Sequence, residues 1–154
     1  MPFLAILIVD GCIHRAAGPE LVKYNATLGG CKTGEAKLSP GFNLPARYVV
    51  STVGPRTEDR AALGQCYMSC LDLAAQTGIR TIAFCCISTG IFGFSNDVAS
   101  DVAICAVREW LDVAGNSDHI DLIVFGLFMK VDIELYKAKL PFYFPPRTKK
   151  HSDK

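Results

Sequence analysis

Short hydrophobic runs alternate along this chain with longer segments in which apolar residues recur at helical spacing. The runs are rich in β-branched or aromatic residues and predict strands buried on both faces over residues 48–53, 81–87 and 122–127. The helical segments cover about 96–114, 60–77 and 19–28. Ser95 or Asn96 can cap the first of these helices, and Gly78 can end the second. Strands that alternate with helices indicate an α/β layered domain with a largely parallel or mixed sheet.

The end of the chain differs in composition from the rest. It is polar and basic, and it follows Pro145 and Pro146. This composition predicts a frayed, solvated tail rather than a nuclear-import or nucleic-acid patch. No linker divides the remainder, so we predict one domain over residues 1–142 and a basic disordered tail over 143–154.

Composition and charge exclude several classes of protein. The 154 residues are 50% hydrophobic and 20% charged, as expected for one globular domain. Sixteen Lys and Arg against fifteen Asp and Glu leave a net charge of +1, so strong nucleic-acid binding is not expected. The apolar run 3–9 is too short to cross a bilayer and lacks the flanks of a signal peptide. We therefore expect no membrane association and a cytoplasmic location, with the nucleus as the alternative.

The cysteines and histidines do not form a recognisable metal or redox motif. Seven cysteines, an odd number, lie mostly in apolar segments, which indicates free buried thiols in a reducing compartment. No Cys-x-x-Cys pair is present, and His14, His119 and His151 are far apart in sequence. The sequence predicts neither a metal site nor a cofactor.

The most informative segment is Ile87-Ser-Thr-Gly-Ile-Phe-Gly-Phe94, where a predicted strand ends in a glycine-containing loop before a capped helix. Glycine lets the backbone approach a ligand, and free amides at such a loop can bind phosphate oxygens. The segment matches neither the Walker loop nor the dinucleotide fingerprint. From the pattern alone, a plain strand-to-helix turn is equally consistent with it.

Asp10 and Gly11 precede a short helical pattern and form the second candidate. Asp10 is either a helix cap or a group that orients a water molecule or a sugar hydroxyl. A hydrolase triad of Asp10, His14 and Ser88 is not supported, because no Gly-x-Ser-x-Gly elbow occurs.

Three blocks of sequence carry a resemblance to a known family. They are Val9-Asp-Gly-Cys-Ile-His-Arg-Ala-Ala-Gly-Pro-Glu-Leu21, Leu44-Pro-Ala-Arg-Tyr-Val-Val-Ser-Thr-Val-Gly-Pro55 and Cys86-Ile-Ser-Thr-Gly-Ile-Phe-Gly-Phe94. In content, order and spacing they resemble the MacroD-like macrodomains, which bind ADP-ribose and hydrolyse its derivatives. The resemblance continues through residues 31–37 and 123–132, and so covers about residues 9–140.

The resemblance implies a three-layer α/β/α domain with a central mixed, mostly parallel sheet that lacks the family's first strands. The ligand would lie across the carboxyl ends of the strands. Asp10 would be the catalytic residue that positions the distal ribose and the attacking water. Phe92 would border that ribose, and Phe128 would stack near the adenine, although either ring would otherwise be a core aromatic. The remaining ligand-binding residues implied by the resemblance are Gly11, Ser88, Thr89, Gly90, Ile91 and Gly93.

The chain departs from the family's pattern before Val9. Members of the family normally carry there an acidic residue for the adenine amine, an Asn-Ala-Ala-Asn stretch and a run of glycines, whereas residues 1–8 contain neither Asn nor Gly. Ser51 stands where the family often has His. Losing outer strands would also expose a sheet edge or an apolar face.

Two functions follow as hypotheses. The first is a hydrolase that removes ADP-ribose from mono-ADP-ribosylated acidic residues or deacetylates O-acetyl-ADP-ribose, with ADP-ribosylated proteins as partners. The second is a catalytically impaired module that only binds ADP-ribose. A chain that neither folds well nor binds is a third possibility.

Overall fold

The computed structural model describes the backbone of residues 5–7 and residues 11–146 in full. Its five strands are β1 (Ala5–Leu7), β2 (Ala36–Pro40), β3 (Tyr48–Thr52), β4 (Thr81–Phe84) and β5 (Leu122–Phe125). Its five α-helices are α1 (Cys12–Ala17), α2 (Pro19–Ala26), α3 (Arg60–Gln76), α4 (Asn96–Asp112) and α5 (Lys130–Tyr143), with a 3-10 turn at Asn116–His119. Asp10 and residues 147–154 lie outside the described residues.

The strands form one mixed sheet in the order β2-β3-β1-β4-β5. Strand β2 pairs antiparallel with β3, and every other pairing in the sheet is parallel. The short strand β1 lies at the centre, where Ala5 is the register partner of Tyr48 on one side and of Ile82 on the other. The carboxyl ends of β1, β3, β4 and β5 therefore meet at one edge of the sheet.

Two apolar clusters make the sheet the middle of three layers. The larger cluster joins one face of the sheet to α3, α4 and α5, and its buried residues include Tyr67, Ile82, Phe84 and Trp110. The smaller cluster lies on the opposite face and consists of Ala17 and Leu21, from α1 and α2, against Val49 of β3. The predicted α/β/α architecture with a mixed, mostly parallel sheet is confirmed.

The two long helices begin and end near their predicted bounds for identifiable local reasons. The Asp59 carboxylate accepts a hydrogen bond from the Ala62 amide at 3.0 Å, and the Ser95 hydroxyl accepts one from the Val98 amide at 3.4 Å. Each side chain satisfies a backbone amide that the first helical turn leaves without a partner. Gly78 has a φ of +72°, a conformation that suits a residue just after a helix.

The prediction that all three strand-like runs are buried on both faces is wrong for the last one. Strand β4 is buried throughout, whereas β5 lies at the sheet edge, where Leu122 is 50% exposed and Val124 is 37% exposed. Ile123 and Phe125 point to the other face and pack against the larger cluster. An apolar strand at an edge gives the same local sequence signal as a buried one, so the pattern did not separate the two.

Strands β1 and β2 were not predicted, whereas the short helical pattern after Gly11 corresponds to α1. Strand β2 alternates apolar and polar residues and ends at Pro40, which is typical of an edge strand. The predicted domain boundary at residue 142 falls one residue before the end of α5 at Tyr143. No helix within the described ranges is long and apolar enough to cross a membrane.

Candidate functional site

A cleft of about 600 Å³ opens at the carboxyl ends of the strands, between α1 and α2 on one side and the loop after β4 on the other. The end of β3 lies between these two walls. The described residues that line it are His14, Asn25, Leu28, Gly30, Cys31, Lys37, Ser51, Thr52, Val53, Gly54, Cys86, Ile87, Ser88, Gly90, Ile91 and Phe92.

The loop from Ser88 to Phe94 forms a compact turn that depends on unusual backbone angles. Ser88 has a φ of +64° and Gly93 a φ of +68°, in the left-handed region that most side chains disfavour. The Phe94 amide donates to the Ser88 carbonyl at 3.0 Å, and the Gly93 amide donates to the Gly90 carbonyl at 3.0 Å. These bonds close the loop, and it feeds directly into the Ser95 cap of α4.

The Tyr67 hydroxyl hydrogen-bonds to the backbone just before this loop. It lies 3.5 Å from the Cys85 carbonyl, to which it donates, and 3.5 Å from the Ile87 amide, from which it accepts. Burial raises the pKa of Tyr67 well above its usual value, so the phenol stays protonated. Its role is to hold the backbone where β4 enters the loop.

The two thiols at the base of the loop are poor nucleophiles. Burial raises the pKa of Cys85 to about 12. Burial, and then the negative charge of Asp132, raise the pKa of Cys86 to about 12. Asp132 is itself buried, and its carboxylate accepts a hydrogen bond from the side-chain Nδ2 of Asn96 at 2.7 Å. Because thiolates are the reactive form, these cysteines do not supply covalent chemistry at neutral pH.

Three polar atoms in the cleft are buried without a hydrogen-bond partner. They are Nδ1 of His14, Oγ of Ser51 and Oγ of Ser88. An unsatisfied buried polar group costs about 1–3 kcal/mol, so three in one cleft favour a ligand that offers them partners.

The charge of the cleft suits an anion. Of its described lining residues, none is Asp or Glu, and Lys37 carries the one fixed positive charge. At the rim, the Arg56 guanidinium lies 5.4 Å from the centre of the Phe92 ring. No group of three or more His, Cys, Asp or Glu side chains within the described part of the chain is placed to hold a metal ion.

The structure places the predicted site residues at different distances from the cleft lining. Ser88, Gly90, Ile91 and Phe92 line the cleft, and Thr89 and Gly93 belong to the same loop without lining it. Gly11, with a φ of +63°, precedes α1 and accepts from the Arg15 amide at its carbonyl. Phe128 follows β5 at the same sheet edge but is 93% exposed and is not part of the cleft lining. The predicted role of Asp10 concerns a residue outside those the structure describes.

Sequence reasoning missed the residues on the α2 and β2 side of the cleft. Asn25, Cys31 and Lys37 line it, as does Ser51, which the sequence marked only as a departure from the family's usual His. The one available signal was strand pairing, since Lys37 and Ser51 are register partners in a hairpin that the pattern did not predict.

Comparison with known proteins agrees with this geometry. The family model described as Macro domain matches residues 7–103. The chain belongs to the macro domain family. It is 49% identical over 143 residues to the ADP-ribose glycohydrolase MACROD2 of Xenopus laevis, covering 89% of this chain and 34% of that protein. It is also 48% identical over 137 residues to a macro domain-containing protein of Ralstonia nicotianae, covering 86% of this chain and 77% of that protein.

A solved macro domain has the same fold. The crystal structure of the Trypanosoma brucei macrodomain in complex with ADP-ribose superposes with a TM-score of 0.85 at 39% identity, covering 90% of this chain and 64% of that one. The chain spans only part of the length of these vertebrate relatives, 34% of the Xenopus protein and 43% of the ADP-ribose glycohydrolase MACROD1 of Bos taurus.

Gly54, two residues after β3, lies against the loop of this macro domain. A Cβ atom there would lie 2.1 Å from Oγ of Ser88 and 2.6 Å from Cγ2 of Ile87. We expect Gly54→Ala to lower the free energy of unfolding by about 1–3 kcal/mol, the usual range for overpacking. The change is measured from urea denaturation curves.

Gly64 provides the matched control for this prediction. It lies inside α3, and a Cβ atom there would meet Cγ1 of Val102 at 3.7 Å, an ordinary contact. Gly64→Ala should therefore raise stability by about 0.5–1 kcal/mol through helix propensity. Equal stability of the Gly54 and Gly64 variants would show that β3 and the loop are not closely packed.

Proposed function

We propose that this macro domain binds ADP-ribose in the cleft and hydrolyses the bond between ADP-ribose and a carboxyl group, on an acidic side chain or an acetyl group. The observation that carries the proposal is the turn from Ser88 to Phe94, which presents an unpartnered hydroxyl beside Gly90 in a cleft whose described lining holds no carboxylate. The names of the MACROD relatives and the ADP-ribose bound to the trypanosomal domain support it.

The loop binds the diphosphate in this proposal. Backbone amides and the Ser88 hydroxyl can donate to phosphate oxygens at the start of α4, where the helix dipole also favours negative charge. Gly90 has no Cβ to keep the ligand away from the backbone. The ring of Phe92, which lines the cleft and contacts the Arg56 guanidinium, then borders the distal ribose in this proposal.

Hydrolysis adds water across the ester. One carbon–oxygen bond breaks, the water oxygen forms the new one, and the products are ADP-ribose and a carboxylic acid that loses its proton. In this proposal Asp10 positions the distal ribose and the attacking water, and its carboxylate accepts a proton from that water as a general base. Mono-ADP-ribosylated proteins are the proposed partners.

The experiment that tests this function is release of ADP-ribose from a protein mono-ADP-ribosylated on glutamate, followed in parallel with release of acetate from O-acetyl-ADP-ribose. We expect the wild type to turn over at least one substrate, and Asp10→Asn to reduce the rate at least tenfold while still binding ADP-ribose. Asp118→Asn, on the exposed 3-10 turn at the other sheet edge, is the matched control and should keep the wild-type rate.

A binding module without turnover is the second candidate. The observation in its favour is that only residues 8–11 separate the end of β1 at Leu7 from the start of α1 at Cys12. The Asn-Ala-Ala-Asn stretch and the run of glycines that the family normally carries before the position of Val9 are absent from residues 1–8. Saturable ADP-ribose binding without release of either product would favour this candidate over the hydrolase. Absence of binding in the wild type would contradict both.

A further inference from the structure

The wall of the cleft formed by α2, β2 and β3 carries hydrogen-bond donors. Three side chains define what we call the donor compartment: Asn25 at the end of α2, Lys37 in β2 and Ser51 in β3, all of which line the cleft. Neither the phosphate-binding loop nor Asp10 accounts for them.

Strand register places two of these side chains side by side. Lys37 and Ser51 are direct partners in the antiparallel pair of β2 and β3, so both project from the same face of the sheet. Directly opposed side chains have Cβ atoms about 4.5–5.5 Å apart. The Ser51 hydroxyl is buried without a partner, which leaves it available to a ligand beside the Lys37 ammonium.

Asn25 is oriented by a buried neighbour. The Ser39 hydroxyl, two residues after Lys37 on β2, donates to Oδ1 of Asn25 at 2.5 Å. This bond occupies the acceptor of the amide group, so its NH₂ donors remain for the cleft. Because Ser39 is only 1% exposed, its buried hydroxyl holds the Asn25 amide group in one orientation.

The charge of the compartment is not neutralised from within. Lys37 has no ion pair among the described residues, and the nearby Glu35 carboxylate accepts from the Lys32 amide at 3.0 Å. Burial raises the pKa of the adjacent Cys31 thiol, which keeps that group uncharged. One ammonium, one amide and one hydroxyl thus face a space with no acidic group among its described lining residues.

The compartment lies at a useful distance from the loop. Gly54 lies directly against Ser88, since a Cβ atom at Gly54 would be 2.1 Å from Oγ of Ser88. Ser51 precedes Gly54 by three residues of extended chain. At about 3.3 Å per residue, this separates the compartment from the loop by roughly 10 Å. A ribose with an attached acyl group can bridge that gap.

We propose that the donor compartment binds the acyl group of the substrate, with Lys37 and Ser51 donating to the carbonyl oxygen of the ester and then to the carboxylate that hydrolysis frees. This inference rests on the proposed function, and it assigns Lys37 as a residue that sets specificity for acylated ADP-ribose over free ADP-ribose. A site in which Lys37 and Ser51 both donate to the acyl carbonyl oxygen discriminates against free ADP-ribose, which lacks that oxygen.

Calorimetric titration with two ligands tests the assignment. One ligand is free ADP-ribose, and the other is a peptide carrying ADP-ribose on a glutamine side chain, which keeps the carbonyl oxygen of the glutamate ester but resists hydrolysis. We expect the wild type to bind the peptide about tenfold more tightly than ADP-ribose. Lys37→Met should abolish this preference, Ser51→Ala should reduce it, and Lys37→Arg should restore part of it.

Lys32→Met is the matched control, because Lys32 lies in the same segment but does not line the cleft. It should leave the preference intact. Unchanged preference in Lys37→Met, or no preference in the wild type, would overturn the donor compartment while leaving ADP-ribose binding in place. If the wild type bound neither ligand, both the compartment and the proposed function would be wrong.

Discussion

Replacing Gly90 by glutamate is expected to reduce the affinity for ADP-ribose by more than about a thousandfold while leaving the stability of the fold unchanged. No described atom beyond its neighbours lies within 4 Å of the position that a Cβ would take at Gly90, and its φ is not positive, so the free protein can accept the side chain. The carboxylate would project beside the proposed diphosphate. Like charges at 4 Å near a protein surface repel by about 4 kcal/mol.

Titration calorimetry and thermal melting together check this expectation. Gly90→Ala separates size from charge and should weaken binding far less than the glutamate does. Ser117→Glu adds the same charge on the exposed 3-10 turn at the opposite sheet edge and should leave the affinity unchanged. Wild-type affinity in Gly90→Glu would mean that the loop does not bind the diphosphate.

Phe84→Ala should cost about 3–5 kcal/mol of the free energy of unfolding, the usual range for removing a buried aromatic side chain. Phe84 is 1% exposed in β4, and its ring centre lies 5.1 Å from that of Tyr67 and 6.2 Å from that of Phe125. Its loss leaves a cavity beneath the strand that leads into the loop from Ser88 to Phe94. Since many domains are stable by only about 5–15 kcal/mol, the variant will be marginal.

Phe142→Ala is the control, because it makes the same change from phenylalanine to alanine at an exposed position. Phe142 is 86% exposed on α5, so its removal should change stability by no more than about 0.5 kcal/mol. Denaturant midpoints and slopes for the two variants decide the matter. A loss below 1 kcal/mol in Phe84→Ala would show that this aromatic cluster does not hold the sheet to its helices.

The long helices and β4 could be predicted from sequence because local signals decide them. Asp59 and Ser95 cap helices that carry a continuous apolar stripe, and β4 is apolar on both faces. The edge position of β5 depends on which strand pairs with it, and no local pattern encodes that. Strand β2 was missed for the same reason, because its assignment depends on pairing with β3.

The residues of the candidate site also differ in whether local sequence or strand pairing brings them together. The turn from Ser88 to Phe94 was predicted because glycines, a strand end and a cap are adjacent in sequence. Lys37 and Ser51 were not, since they are brought together only by the register of two strands. Phe128 was carried over from the family resemblance, and its exposed position outside the cleft lining leaves its role a prediction.

The central position of β1 governs the order in which this sheet can assemble. Residues 5–7 leave the ribosome well before both strands that pair with them, β3 at Tyr48 and β4 at Ile82. Because β1 separates β3 from β4, neither half of the sheet can join the other before this early segment inserts between them. Such long-range parallel pairing is typical of slow folding. A nascent chain of this protein therefore carries this apolar segment unpaired until both partner strands have been synthesised.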